Sequence, residues 1–172
     1  ERPMKHILLL TTGGTIASRP TAEGLAPGIG GDALAMALPF LAESYRITVR
    51  DILHLDSSNI QPEEWQLIAK AVYDAREDVD GIVITHGTDT MAYTAAALSS
   101  TLRGIGIPVV LTGSQLPIEH PLTDGADNLR TAFAMASSGA GGVFLAFDRK
   151  VLLGCRAVKT RTRDFDAFES VN

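Results

Sequence analysis

Leu8-Leu9-Leu10-Thr11-Thr12-Gly13-Gly14-Thr15-Ile16-Ala17 begins as an unbroken apolar run and stops in three threonines wrapped around two glycines. Together with His6 and Ile7, the run reads as a strand over His6–Thr11. It shows no polar alternation, which is the pattern of a strand buried on both faces in a helix-covered parallel sheet. The glycines provide for a tight turn or a close backbone approach. The threonines put hydroxyl groups at the carboxyl end of the strand. A turn, an anion cradle and a catalytic loop are all open readings at this point.

Outward from this stretch, short β-rich runs alternate with longer segments of helical periodicity. Gly31–Glu43 reads as a helix and Arg46–Leu55 as a strand. Glu63–Arg76 is an amphipathic helix with Trp65, Ile68, Ala69 and Val72 on one stripe and Pro62 near its first turn. Gly81–Thr85, Ile107–Thr112 and Gly142–Phe147 read as strands, and Asp89–Leu102 and Asp124–Ser137 as helices. Lys150–Leu153 and Arg156–Thr160 read as a smaller late β-hairpin. This order predicts an α/β fold: an open, mostly parallel sheet with helices on both faces, a flavodoxin- or Rossmann-like three-layer arrangement. With no internal repeat and no linker, residues 1–172 read as a single domain. Ser18–Gly31 differs in kind, holding Pro20, Gly24, Pro27, Gly28, Gly30 and Gly31 without periodicity. Its length suits a lid or a disordered loop.

Composition narrows the function classes. The 172 residues are 45% apolar and 20% charged, ordinary for a globular domain with its own core. A formal net charge of −5 gives no overall electrostatic reason for a nucleic-acid or membrane partner. No apolar run approaches the length of a bilayer span, and the N-terminal residues carry no cleavage-site pattern. Cys155 is the single cysteine, so no internal disulfide is available, and the expected location is the cytoplasm. His6, His54, His86 and His120 lie singly, without metal-ligand spacing. Neither the Walker pattern nor G-x-G-x-x-G is present. No metal and no cofactor are expected.

Four strands end in hydroxyl-rich clusters. These are Thr11-Thr12-Gly13-Gly14-Thr15, Asp56-Ser57-Ser58-Asn59, Thr85-His86-Gly87-Thr88-Asp89-Thr90 and Thr112-Gly113-Ser114-Gln115. Any one of them can be explained by helix capping. In a parallel sheet, however, the carboxyl ends share one edge, and ligands bind in the crevice outside it. A threonine hydroxyl there becomes a nucleophile only when a base or charge network activates it. Lys159, in Val158-Lys159-Thr160, is a candidate base, although a solvated lysine beside Arg161 and Arg163 is the plainer reading.

The motifs Thr12-Gly13-Gly14-Thr15-Ile16-Ala17, Asp56-Ser57-Ser58-Asn59, Thr85-His86-Gly87-Thr88-Asp89-Thr90-Met91, Thr112-Gly113-Ser114-Gln115-Leu116-Pro117 and Val158-Lys159-Thr160, with Phe168–Asn172, together resemble the bacterial-type L-asparaginases, above all the cytoplasmic type I members. The resemblance covers essentially the whole chain. It implies a cofactor-independent amidohydrolase that converts L-asparagine to L-aspartate and ammonia, with weak glutaminase activity as an accompaniment. Position by position, it implies Thr15 as the nucleophile and Thr88, Asp89 and Lys159 as a Thr–Asp–Lys cluster, with Asp89 also holding the substrate's α-ammonium. Ser57 and Ser58 match residues that hold the substrate's α-carboxylate end, and Ser114 falls where the family contacts the side-chain amide. A homo-oligomer, dimer or tetramer, is also implied. Two departures stand out. No tyrosine lies between Ser18 and Leu34, and Leu25 stands where many members carry one. Full-length members also continue into a smaller C-terminal domain, so 1–172 corresponds to an N-terminal-type catalytic domain, either of a short-chain member or in isolation. The readings that compete with hydrolysis are a non-catalytic asparagine- or aspartate-binding domain and the amidase component of a tRNA-dependent transamidation complex.

Overall fold

A computed structural model describes residues 3–27, 29–55, 59–159 and 167–170, with backbone alone at 20, 26, 27, 158 and 159. The strands of the main sheet are β1 (His6–Gly13), β4 (Arg46–Leu55), β5 (Gly81–Thr85), β6 (Pro108–Thr112), β7 (Gly142–Phe147) and β8 (Lys150–Leu153), in the order β4-β1-β5-β6-β7-β8. All neighbours are parallel except β7 and β8. Before its antiparallel edge strand, the sheet has the flavodoxin-like order 2-1-3-4-5, and the chain reverses direction across the sheet between β1 and β5. The expected α/β class is therefore present. The central strands β5 and β6 are buried at every position, whereas the edge strand β4 alternates exposed and half-buried residues at its start.

The connecting helices are α1 (Gly31–Met36), α2 (Pro39–Ser44), α3 (Pro62–Ala75), α4 (Met91–Thr101) and α5 (Gly125–Ala136). Alternate strand residues feed two cores. Leu8, Leu10, Ile82, Ile84 and Leu111 pack with Ile68 and Val72 of α3 and Ala95 and Leu98 of α4. Ile7, Leu9, Val83 and Val110 face Leu34, Leu41, Leu129 and Phe133 from α1, α2 and α5. Pro62 opens α3, and a capping box between Gln61 and Glu64 satisfies its first turn.

The structure changes three local expectations. Gly31–Glu43 is two short helices rather than one. Pro39 has no amide hydrogen to continue the ladder, and it holds Leu38 out of helical geometry at φ −129° and ψ 79°. Most of the irregular stretch after Ser18 is a β-hairpin, β2 (Ser18–Thr21) paired antiparallel with β3 (Gly24–Pro27). Such a ribbon needs only backbone pairing and a turn, so hydropathy does not announce it. Gly24 takes φ +117°, and the Thr21 hydroxyl donates to its carbonyl at 2.6 Å. The late β-hairpin has different partners from those read in the sequence. β8 folds back on β7 through Asp148 and Arg149, both at positive φ (49° and 59°), the geometry of a twisted two-residue hairpin turn. β9 (Ala157–Lys159) pairs instead with β10 (Phe168–Ser170). Thr160 lies outside the described residues.

Where the hairpin returns to α1, the Thr11 hydroxyl and the Gly31 amide (2.8 Å) both donate to Asp51 on β4. The Thr11 hydrogen bond, then that of Gly31, holds the Asp51 carboxyl below the usual aspartate range, with the charge of His54 assisting against desolvation. A carboxyl depressed in the folded state stabilises above its unfolded pKa of about 3.9, and that contribution is lost as pH falls through the folded value. Asp51→Ala should therefore flatten the fall in stability on acidification below about pH 4. Urea midpoints measured across that range will check this, and an unchanged slope would count against the assignment.

Candidate active site

The carboxyl ends of β4, β1, β5 and β6 are drawn together by glycines. Gly13 adopts φ +103°, and a Cβ there would stand 2.5 Å from the carbonyl oxygen of Leu55 at the end of β4. Gly14 adopts φ +94° and is pressed against the loop after β5, where a Cβ would meet the Gly87 nitrogen at 2.6 Å. Gly113 repeats the arrangement on the other side, with its Cβ position 2.2 Å from the His86 carbonyl oxygen. Side chains at these points would push the strand ends apart. The Thr12 hydroxyl adds a buried bond to the Thr85 carbonyl at 2.7 Å, and the His86 amide bonds to the Thr112 carbonyl at 2.9 Å.

Thr15 follows directly, in a single 3-10 turn (Thr15–Ala17), and is half-buried. Its carbonyl accepts from the Ser18 hydroxyl at 2.7 Å, and the Ile16 carbonyl accepts from the Ile118 amide at 3.1 Å. The turn is thus held both to the hairpin and to the loop after β6. Thr88 is buried, and its hydroxyl lies 3.4 Å from Gln115 Oε1, which joins the loops after β5 and β6. Asp89 is exposed at the mouth of the same loop, before α4. Ser114 is buried, and its hydroxyl donates to the Leu116 carbonyl. Thr15, Thr88, Asp89 and Ser114 therefore sit on converging strand-end loops. Ser57 and Ser58 lie outside the described residues, although the Leu55–Gly13 contact brings the end of their strand to the same edge. Lys159 has its backbone in β9, which lies against α4, and its side chain lies outside the described part of the structure.

Sequence reading missed the residues that fix the loop after β6. The Asp124 carboxylate accepts from the Gln115 amide at 3.0 Å and the Leu116 amide at 3.1 Å. One turn on, buried Asn128 donates to the Gly113 carbonyl at 2.8 Å and to Asp124 at 3.3 Å, and accepts from the Asp148 amide at 3.0 Å. The available signal was an Asp and an Asn four residues apart at the start of a helix, directly after a strand-end loop. Asn128→Ala should cost about 2–4 kcal/mol, because it leaves the Gly113 carbonyl buried without this donor as well as removing a bond. Chemical denaturation will measure it, and a loss below about 1 kcal/mol would refute the role.

Among the described residues, no His, Cys, Asp and Glu side chains group as a metal site, and no helix is long and apolar enough to cross a membrane.

Residues 6–172 match the family described as Asparaginase, N-terminal. The L-asparaginase of Thermococcus kodakarensis is 48% identical over 96% of this chain and 51% of its own length. L-asparaginase 1 of Escherichia coli is 40% identical over 98% of this chain and 51% of its own. A glutamyl-tRNA(Gln) amidotransferase subunit from Methanopyrus kandleri is also 40% identical, over 98% of this chain and 40% of its length. The solved Thermococcus kodakarensis L-asparaginase superposes with a TM-score of 0.91, covering 97% of this chain and 51% of that one. L-asparaginase I of Vibrio cholerae superposes with a TM-score of 0.88 at 36% identity, covering 99% and 52%. The chain thus spans about half the length of the L-asparaginases it matches. On the family match, these identities and the shared fold, the chain belongs to the asparaginase family and carries its N-terminal domain.

Proposed function

We propose that this chain carries the catalytic machinery of an L-asparaginase, hydrolysing the side-chain amide of L-asparagine to L-aspartate and ammonia, with weaker action on glutamine. The observation that carries the reading is the glycine-enforced meeting of the Thr15, Thr88–Asp89 and Ser114 loops at one sheet edge. In this reading the Thr15 hydroxyl attacks the amide carbon. The new C–O bond converts the carbonyl to a tetrahedral oxyanion, whose collapse breaks the C–N bond, and ammonia leaves with the proton taken from Thr15. Water then hydrolyses the threonine ester and regenerates the hydroxyl. Thr88, Asp89 and Lys159 form the proton-sharing cluster, and Asp89 also pairs with the substrate's α-ammonium. Ser57 and Ser58 hold the α-carboxylate end, and the Ser114 loop contacts the side-chain amide. Backbone amides at the strand ends stabilise the developing oxyanion. No cofactor or metal takes part, the partners are the substrate and further copies of the chain in a dimer or tetramer, and the setting is the cytoplasm.

A second reading has a relative at 40% identity behind it, below the 48% of the Thermococcus kodakarensis L-asparaginase. The amidotransferase subunit from Methanopyrus kandleri is as similar to this chain as the Escherichia coli L-asparaginase 1 is. Ammonia release from free asparagine by the purified chain, compared with glutamine, separates the two. Turnover of free asparagine without tRNA supports the asparaginase reading, and its absence unless tRNA and a partner are supplied supports the amidotransferase one. Calorimetric binding of asparagine with no turnover under either condition would sink both.

A further inference from the structure

Behind the Thr88–Asp89 loop lies a polar chain that the proposed mechanism does not use. His86 is 1% exposed on the face of the sheet covered by α3 and α4. Its Nδ1 lies 2.7 Å from the Gly87 carbonyl oxygen and its Nε2 lies 2.9 Å from the Thr94 hydroxyl. The Trp65 indole nitrogen lies 2.8 Å from the same hydroxyl. Donor and acceptor chemistry fixes the two end bonds. An indole N–H can only donate and a carbonyl can only accept. Trp65 therefore donates to Thr94, and Nδ1–H donates to Gly87. Burial disfavours the charged imidazole, and in the neutral ring with its hydrogen on Nδ1 the Nε2 accepts from the Thr94 hydroxyl.

The chain ends at a peptide that matters. The carbonyl of Gly87 and the amide of Thr88 belong to one trans peptide unit and point in opposite directions. Holding the carbonyl from behind sets the direction of the Thr88 amide and the base from which its hydroxyl projects. Gly14 presses the Gly87 nitrogen and Cα from the β1 side. Trp65 belongs to α3, the helix that follows Ser57 and Ser58 in the chain. The chain thereby ties the element after β4 to the loop after β5.

We propose that Trp65, Thr94 and His86 form a positioning relay that fixes the Gly87–Thr88 peptide, and through it the Thr88 hydroxyl, in the geometry the site uses. The role in turnover rests on the asparaginase reading above, whereas the role in fixing the peptide does not. Thr94→Val keeps the shape of the side chain and removes both hydrogen bonds, and Thr94→Ser keeps the hydroxyl. In the unliganded protein, the Thr88 amide resonance and the His86 ring-nitrogen pattern should shift in Thr94→Val and return in Thr94→Ser. The emission of Trp65, the only tryptophan, should follow the same pattern. With asparagine, Thr94→Val should lose about 10- to 100-fold in kcat with KM changed less than about twofold, and Thr94→Ser should recover most of it. If Thr94→Val does not fold, Trp65→Phe removes the far donor and is read by the same resonances. A Thr88 amide that does not move, or a wild-type His86 carrying its hydrogen on Nε2, overturns the proposal. A kcat loss that merely tracks the folded fraction also overturns it. If the wild-type chain turns over no asparagine, the asparaginase reading fails, and the Thr88 and His86 resonances still decide the relay.

Discussion

Thr15→Ala should abolish ammonia release from asparagine, lowering kcat by about 1,000-fold or more, while leaving the melting temperature close to that of the parent chain. The size follows from the assigned role: without the hydroxyl no acyl ester forms, and any remaining rate is that of water attacking a bound amide. The small structural cost follows from position. Thr15 is half-buried in a short turn whose recorded bonds use its backbone carbonyl, and alanine keeps that carbonyl. Thr15→Ser replaces the secondary hydroxyl with a primary one and should retain measurable turnover. Steady-state assays of the three chains alongside thermal unfolding make the comparison. Full activity in Thr15→Ala would remove Thr15 from the mechanism, and equal losses of activity and folding would make it a structural residue.

The meeting of these strand ends is legible in the sequence for a reason particular to parallel α/β sheets. Strands buried on both faces appear as apolar runs, so Leu8–Leu10, Ile82–Ile84 and Val109–Leu111 identified themselves as strands. Topology then sends each carboxyl end to one edge, so polar clusters far apart in sequence could be expected to meet. Three kinds of feature were not legible. Pro39 splits a periodic segment through its missing amide hydrogen, of which hydropathy carries no record; only the proline itself marks the break. The β2–β3 hairpin rests on backbone pairing over residues with no apolar period. The anchoring by Asp124 and Asn128 depends on which carbonyl and amides lie opposite them, and sequence spacing does not contain that. The doubled glycine after β1 lay between these cases. Its permissiveness was readable, but the object it makes room for, the backbone of Gly87, was visible only once the strands were side by side.

That close approach sets up the second large effect. Gly14→Ala should destabilise the fold by about 3–5 kcal/mol, and the fraction that remains folded should be inactive. Two costs are involved. The first is a backbone at φ +94° and ψ 175°, a region essentially confined to glycine, worth about 1–3 kcal/mol for a residue with a Cβ. The second is steric: the new methyl group would stand 2.6 Å from the Gly87 nitrogen and 2.7 Å from its Cα. These are backbone atoms where the chain leaves β5, and they cannot swing aside as the end of a side chain would. Relief requires the ends of β1 and β5 to separate, which strains the Thr12–Thr85 bond and moves Thr15 away from Thr88. Gly24→Ala isolates the first cost, since Gly24 has φ +117° and no atom within 4 Å of its Cβ position. It should lose only about 1–3 kcal/mol. Urea denaturation of both variants gives the stabilities, and activity per folded molecule gives the geometry. If the two alanines cost the same, the strand ends are not locked by that contact. If Gly14→Ala is unstable yet fully active when folded, the spacing between the Thr15 and Thr88 loops is not what catalysis depends on.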